Sequence, residues 1–374
     1  MESLLARADR VATAARRTGA LVSIPTDICP MTDHGTEFSV RVVGQLTRKA
    51  AAGDGAAARN PFLPYESALY VADLPPRHVC LLNKFNVVER HLLVITRDFA
   101  SQLETLDAGD FAALAVCLAA GDGLGFYNGG PAAGASQRHK HLQWIPVPPR
   151  DLPLAAQLEN RFSTWCAASP APLGKLPTMG MGTTGMGTTG MGTTGMGTTG
   201  MGTTGMGTTG MGTTGTGTTG TRGVTERIHH EPTWPFRHAY SLFAGPEFEG
   251  LLQRTATADG DATDDLSAAA AARLGVALER CYRRLLDDCG LSESSGELPP
   301  YNLLLTRRWM LLVPRQCEHA AGISFNALAF AGALLVKDHD QWEQLRKFGP
   351  WRALRAVAFE KSKTSTTDDA DGHG

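Results

Sequence analysis

His139, His141 and Gln143 alternate with Lys140, Leu142 and Trp144. In an extended segment this spacing puts two imidazoles and an amide on one face. An imidazole is an effective nucleophile toward phosphorus: it attacks while neutral, departs again once phosphorylated, and is poised by one hydrogen bond to its other nitrogen. His141 is the candidate nucleophile. Just upstream, Asn128, Gly129, Gly130, Gly134, Ala135, Ser136 and Gln137 form a small-residue loop. Its backbone can approach an anion closely, and its hydroxyl and amide groups can donate to phosphate oxygens. Taken alone, a His-x-His pair is more often structural or metal-binding, and clusters of Gly, Ser and Asn are usually turns. Their conjunction in one loop-then-strand unit, stopped by Pro146, Pro148 and Pro149, points to chemistry at a phosphorylated ligand.

That face needs a scaffold. Residues 68–71, 78–82 and 92–96 are short apolar runs parted by Pro75 and Pro76 and by the polar break Glu89, Arg90 and His91, which predicts three antiparallel strands. Asn83 and Lys84 close the second, where a rigid sheet presents ligand groups. A compact ammonium at Lys84 suits charge shared among phosphate oxygens, although strand-end lysines are commonly just solvated. Asp107 or Asp110 can cap a helix over 107–120 with Phe111, Leu114, Cys117 and Leu118 on one face. Further helices are expected around 157–167 and from Asp264 or Asp265 to Cys289, with a hairpin over 302–306 and 309–313 and a polar helix after 328–336. Toward the start, Leu4, Leu5, Ala8 and Val11 recur at helical spacing, and 20–25 and 38–43 read as strands around a turn at 32–35.

The run NGGPAAGASQRHKHLQ (128–143) resembles the signature of the ATP adenylyltransferase family, the diadenosine tetraphosphate phosphorylases. This is a branch of the histidine triad superfamily related to galactose-1-phosphate uridylyltransferase. The likeness continues through PFLPYESALYVADLPPRHVCLLNKFNVVERHLLVITRDF (61–99), PTWPFRHAYSLF (232–243), YNLLLTRRWMLLVPR (301–315) and GISFNALAFAGALLVK (322–337). It implies an α+β fold: a histidine-triad-like antiparallel sheet flanked by helices, a second α+β domain, and a disordered repeat insert. The expected division is an adenylyltransferase domain at 1–177, the insert at 178–222, a C-terminal domain at 223–360 and a flexible tail at 361–374.

The resemblance also implies roles. A lysine in the position of Lys49 contacts the nucleotide. The hairpin 301–315 faces the active site, which makes Asn302, Met310 and Arg315 binding candidates, although Met310 alone reads as core. The main-chain carbonyl of His139 receives the other N–H of the nucleophile. Gln143 stands where histidine triad hydrolases carry a third histidine. An amide donates to a phosphoryl oxygen but supplies no titratable proton, which fits transfer to a phosphorylated acceptor. Asn128, Ser136, Gln137 and Lys84 would stabilise charge on the group in transit.

The expected reaction is attack by His141 on the α-phosphorus of diadenosine tetraphosphate, departure of ATP, and capture of the bound AMP by phosphate to give ADP. A divalent cation, Mg²⁺, would arrive with the polyphosphate rather than on a dedicated protein site. The alternatives are a sugar-phosphate nucleotidyltransferase, disfavoured by HKHLQ in place of HPHxQ, and a noncatalytic dinucleoside polyphosphate binder.

Composition bounds the rest. A formal net charge of -2 argues against the broad basic field of nonspecific nucleic-acid binding, and no apolar run approaches membrane-spanning length. Seven scattered cysteines without a CxxC pair favour a reducing, cytoplasmic setting over a disulfide framework. Arg7, Arg10, Arg16 and Arg17 leave an organelle transit segment open as the second reading of the amphipathic start. Residues 181–220 repeat MGTTG seven times and TGTTG once. Such a tract cannot bury enough apolar surface to offset about 1–2 kcal/mol of backbone entropy per residue, so a flexible loop is expected.

Overall fold

Strand alternation places one set of side chains on a helix layer and the other on a cavity. The structure, a computed structural model, describes residues 2–44, 60–168, 227–243, 246–256 and 265–361. Lys49, the repeat tract and the tail after 361 lie outside the described residues. Ser3 caps α1 (Leu4–Thr18), which buries Leu4, Ala8, Ala12 and Ala15, and Gly19 ends it in a left-handed conformation. The segment 20–25 is not a strand. Ala20 and Leu21 are buried, and the N–H groups of Val22 and Ile24 donate to the carbonyls of Lys84 and Asn86, so its apolar residues dock beside the end of a strand elsewhere. The ladder forms one segment later, as β1 (Thr26–Asp33) turns at His34 and Gly35 into β2 (Thr36–Val43).

The main sheet contains β3 (Tyr70–Leu74), β4 (His78–Leu82), β5 (Leu92–Thr96), β6 (Leu124–Gly129), β7 (His141–Ile145), β8 (Ala239–Leu242), β9 (Tyr301–Leu305) and β10 (Trp309–Pro314). Their spatial order is β3-β4-β5-β7-β6-β9-β10-β8. Every pairing in it is antiparallel, and β6 carries β7 on one edge and β9 on the other. Strands from both halves of the sequence are thus hydrogen-bonded into one sheet. A short ribbon of β11 (His319–Ala320) and β12 (Ile323–Ser324) precedes β13 (Ala333–Val336), which runs parallel to β2 in a separate three-stranded sheet.

One face of the large sheet packs on α2 (Ala108–Ala120) and α5 (Asp265–Asp288), burying Tyr127, Leu142, Trp144, Leu303, Leu305, Met310 and Leu312. Asp107, one of the two caps the sequence offers, starts α2, and the Asp110 carboxylate accepts the Asp107 N–H in return to form a capping box. Gly275 permits the close crossing: a Cβ there would stand 2.2 Å from the Ala108 carbonyl oxygen. The opposite face meets β2, β13, α3 (Pro153–Ala168), α6 (His339–Phe348) and α7 (Pro350–Val357) around Phe126, Ile145, Leu304, Leu311 and Val313. The polar helix expected after 336 is two helices, because Gly349 at φ +92° and Pro350 break it. The remaining helix, α4 (Pro246–Ala256), packs on α5 and α2.

Lys140 points to the helix face, between two histidines that serve the other side. Its Nζ donates to the Thr105 carbonyl at 3.1 Å and to Asp110 Oδ2 at 3.3 Å, and Asp110 also meets His78 Nε2 at 2.8 Å. Burial alone would raise the Asp110 pKa, but the His78 hydrogen bond and the Lys140 charge outweigh it and hold the carboxyl below its ordinary range. A buried cation is tolerable here because it is paired.

Candidate active site

The period-two pattern of β7 puts Leu142 and Trp144 into the helix-side core and turns His141, Gln143 and Ile145 to the other face. There a cavity of about 920 Å³ opens, lined by His141, Gln143, Asn128, Gly134, Ser136, Gln137, Asn83 and Lys84. Phe62, Leu81, Leu93 and Leu328 give it apolar walls, and Ile28, Arg41 and Leu335 approach from the three-stranded sheet.

His141 Nδ1–H donates to the His139 carbonyl at 2.8 Å, so the proton sits on Nδ1 and the Nε2 lone pair is left to the cavity. The ring is buried beside Phe62, with centroids 5.4 Å apart. That burial, opposed in part by the His139 carbonyl, pushes its pKa down to about 4, and the imidazole is therefore neutral at neutral pH. His139 contributes its carbonyl, while its own ring does not line the cavity. Asn60 donates to His139 Nδ1 at 3.0 Å, and Nε2–H is given to the Thr96 carbonyl at 2.9 Å.

Gln143 is oriented by a chain of bonds whose polarity can be read from one end. The Phe85 N–H donates to Asn83 Oδ1 at 3.3 Å, which leaves Asn83 Nδ2 to donate to His91 Nδ1 at 3.2 Å. His91 must then carry its proton on Nε2, which donates to Gln143 Oε1 at 2.9 Å. The Gln143 amide nitrogen is thereby turned into a donor for a ligand. Asn83, a binding candidate, spends its side chain in this chain. Nothing in the sequence pattern marks His91 beyond a polar break between strands.

The loop after β6 is shaped by Gly130 at φ +93° and Gly134 at φ +89°. A Cβ on Gly134 would also meet the Phe325 carbonyl at 2.9 Å and Asn326 Cα at 3.0 Å, so only glycine fits. The Ala135 N–H closes the loop on the Gly130 carbonyl at 3.1 Å, and Ala135 itself does not reach the cavity, whereas Ser136 and Gln137 line it. Asn128 Oδ1 accepts from Asn302 Nδ2 and from the Ala327 N–H, both at 2.9 Å. Its Nδ2 is left for the cavity.

Three candidates from the hairpin need correction. Asn302 is fully buried and supports Asn128 rather than lining the cavity. Arg315 bonds Asn302 Oδ1 and donates to the carbonyls of Val357 (3.0 Å), Cys317 (2.8 Å) and Phe325 (3.0 Å), so its guanidinium is consumed inside the fold. Burial draws its pKa down to about 10. Met310 belongs to the helix-side core, because the β9–β10 register sets it opposite Leu305 and on the face away from the cavity.

Lys84 lines the cavity at the end of β4, with Nζ 2.9 Å from Glu66 Oε2. Arg41, which the sequence does not single out, is half-buried in the opposite wall. It bonds Thr26 Oγ1 at 3.2 Å and has no carboxylate partner among the described residues, and burial lowers its pKa. No group of three or more His, Cys, Asp or Glu among the described residues could hold a metal ion.

Three buried histidines, His91, His141 and His238, are each pushed down to about 4, chiefly by burial. In the unfolded chain each titrates near its ordinary value of about 6.5. The unfolded state therefore takes up protons first, and stability that is full above that value falls as pH drops toward 4. The slope is about 1.4 kcal/mol per pH unit for each group, or about 4 for the three. Urea unfolding at pH 7.5 and 5.5 should show this loss, and equal stability at both would contradict the buried, neutral assignment.

Comparison with known proteins agrees with this geometry. The Ap4A phosphorylase N-terminal domain model matches residues 1–160, and the ATP adenylyltransferase C-terminal domain model matches residues 232–360. Diadenosine tetraphosphate (Ap4A) phosphorylase 2 of Saccharomyces cerevisiae is 25% identical over 313 residues, which cover 77% of this chain and 72% of that protein. The crystal structure of yeast Ap4A phosphorylase Apa2 superposes with a TM-score of 0.61 at 21% identity, covering 99% of both chains. The same yeast enzyme in complex with Ap4A gives a TM-score of 0.60 over 96% of this chain and 98% of its own. The two domain models in sequence order, the matching fold and the histidine face of β7 lead to one assignment: the chain belongs to the ATP adenylyltransferase family of diadenosine tetraphosphate phosphorylases.

Proposed function

We propose that the chain catalyses the reversible phosphorolysis of diadenosine tetraphosphate by phosphate to ADP and ATP, through an AMP–histidine intermediate. The observation that carries this reading is the bare Nε2 of a neutral, buried His141, aimed into a cavity edged with amide and hydroxyl donors. The Nε2 lone pair forms a bond to the α-phosphorus, and the bond from that phosphorus to the bridging oxygen breaks, releasing ATP. Positive charge developing on the ring is met by the His139 carbonyl through Nδ1–H. An oxygen of inorganic phosphate then attacks the same phosphorus, the P–N bond breaks, and ADP leaves His141 neutral again.

Gln143 Nε2 and Asn128 Nδ2 are side-chain donors on residues that line the cavity with His141, and both are held by bonds at their oxygens. Such preorganised donors stabilise charge on the phosphoryl group without reorganising during the step. Ser136 and Gln137 extend the cradle, and Lys84 and Arg41 supply positive charge to the phosphate chain. Lys49 keeps the nucleotide-contact role that the family implies. Mg²⁺ fits best as a companion of the polyphosphate, because such ions are held largely by substrate oxygens and water. A cytoplasmic setting is supported by seven free thiols; in addition, no helix among the described residues is long and apolar enough to cross a membrane.

The test is substrate choice. Purified protein with diadenosine tetraphosphate and phosphate should give equimolar ADP and ATP. Turnover confined to UDP-glucose and galactose 1-phosphate would overturn the assignment in favour of uridylyl transfer.

A further inference from the structure

β6 and β7 pair only from Leu124↔Ile145 to Phe126↔Gln143. The next rungs would join Tyr127 to Leu142 and Asn128 to His141, and they are missing. Yet β6 runs on along β9 as far as Gly129↔Tyr301, and β7 along β5 as far as Ile95↔His141. The two central strands therefore part at the residues that carry the chemistry.

The carboxamide of Gln102 occupies the gap. Its Oε1 accepts the His141 N–H at 2.8 Å, and its Nε2 donates to the Asn128 carbonyl at 2.9 Å and the His141 carbonyl at 3.3 Å. Gln102 is only 2% exposed and is itself fixed at the main chain. Its N–H donates to the Arg138 carbonyl at 2.8 Å, and its carbonyl accepts the Tyr127 hydroxyl at 2.6 Å.

We propose that Gln102 is a positioning residue for adenylyl transfer: its amide replaces the missing rungs between β6 and β7 and so sets the separation of the His141 imidazole from the Asn128 amide. Directly paired antiparallel strands hold opposed Cα atoms about 4.5–5.5 Å apart, and an interposed carboxamide holds them wider. The width admits a tetrahedral phosphoryl group between nucleophile and donor. An amide of this length presents an acceptor and a donor in one plane without needing a proton from solution. Glutamate loses the donor, and methionine loses both while leaving the His141 N–H buried without a partner. Gln102 makes no contact with the cavity, so its effect falls on geometry and not on affinity.

This inference rests on His141 being the nucleophile, and the experiment separates the two. Wild-type protein, Gln102→Glu and Gln102→Met are mixed with α-labelled diadenosine tetraphosphate without phosphate, and label transfer to protein is timed in a single turnover. Equilibrium affinity is measured on the same samples, and the rate is expressed per folded molecule from a melting curve. Both variants should transfer label about 10- to 100-fold more slowly, the penalty for misplacing reacting groups by about an ångström, with affinity within about threefold of wild type. In Gln102→Glu the rate should recover between pH 8 and pH 6, because a buried glutamic acid protonates early and regains its donor. The wild-type rate should stay level there. Variants that label as fast as wild type, or a Gln102→Glu profile parallel to wild type, would overturn the role of Gln102 alone. A wild-type protein that takes no label would overturn the nucleophile assignment and this inference with it.

Discussion

His141→Ala is expected to fold, to bind diadenosine tetraphosphate, and to lose about 10⁴-fold or more in turnover. Removal of a covalent nucleophile costs this much because no neighbouring group can form the same bond, so binding and electrostatic stabilisation are all that remain. His139 cannot substitute. Its Nδ1 is held by Asn60 and its Nε2–H by the Thr96 carbonyl, and the ring lies off the cavity wall. His91 cannot substitute either, since both its nitrogens are engaged by Asn83 and Gln143. In the wild type the acid limb of single-turnover adenylylation should fall with an apparent pKa near 4, the value to which burial pushes His141. A limb near 6.5 would point to an exposed ring.

The second large effect belongs to Gln143. Gln143→Met keeps the volume and removes the donor, and the chemical step should slow about 10²- to 10³-fold, as for loss of one donor to a developing oxyanion. His91→Phe keeps the ring and drops both of its bonds. Gln143 then can present either its oxygen or its nitrogen to the phosphoryl group, and a loss of about tenfold in kcat follows, with KM little changed. Stopped-flow adenylylation of both variants checks this. A His91→Phe enzyme as fast as wild type would show that the hydrogen-bond chain through Asn83 and His91 does not orient the amide.

Much of this site was legible in residue order alone. The alternation around His141 has period two, and a strand with one face buried against helices must turn that set the other way, as Leu142 and Trp144 confirm. The Asp107 cap of α2, strands β4 and β5 and the β9–β10 hairpin follow from local signals of the same kind, whereas β3 starts two residues into the run at 68–71, where Ser67–Leu69 forms a 3-10 turn instead. The residues that misled are those whose role depends on a distant partner. Arg315 looks like a phosphate ligand until it is seen to close the Cys317 and Phe325 carbonyls. Met310 sits in a strand that is apolar on both faces, so parity could not say which face held the cavity. His91 and Gln102 act on β7 from 52 and 39 residues away, and no spacing rule reaches that far. The segment 20–25 failed for another reason: an apolar run that docks against a strand end resembles a strand in composition.

The most direct measurement is the site of attachment. Wild-type protein incubated with α-labelled diadenosine tetraphosphate in the absence of phosphate, then denatured and digested, should carry one acid-labile AMP on the peptide containing His141, linked through Nε2, and released as ADP when phosphate is added before denaturation. AMP found on any other residue, or full phosphorolysis with no bound AMP at any time, would contradict the account.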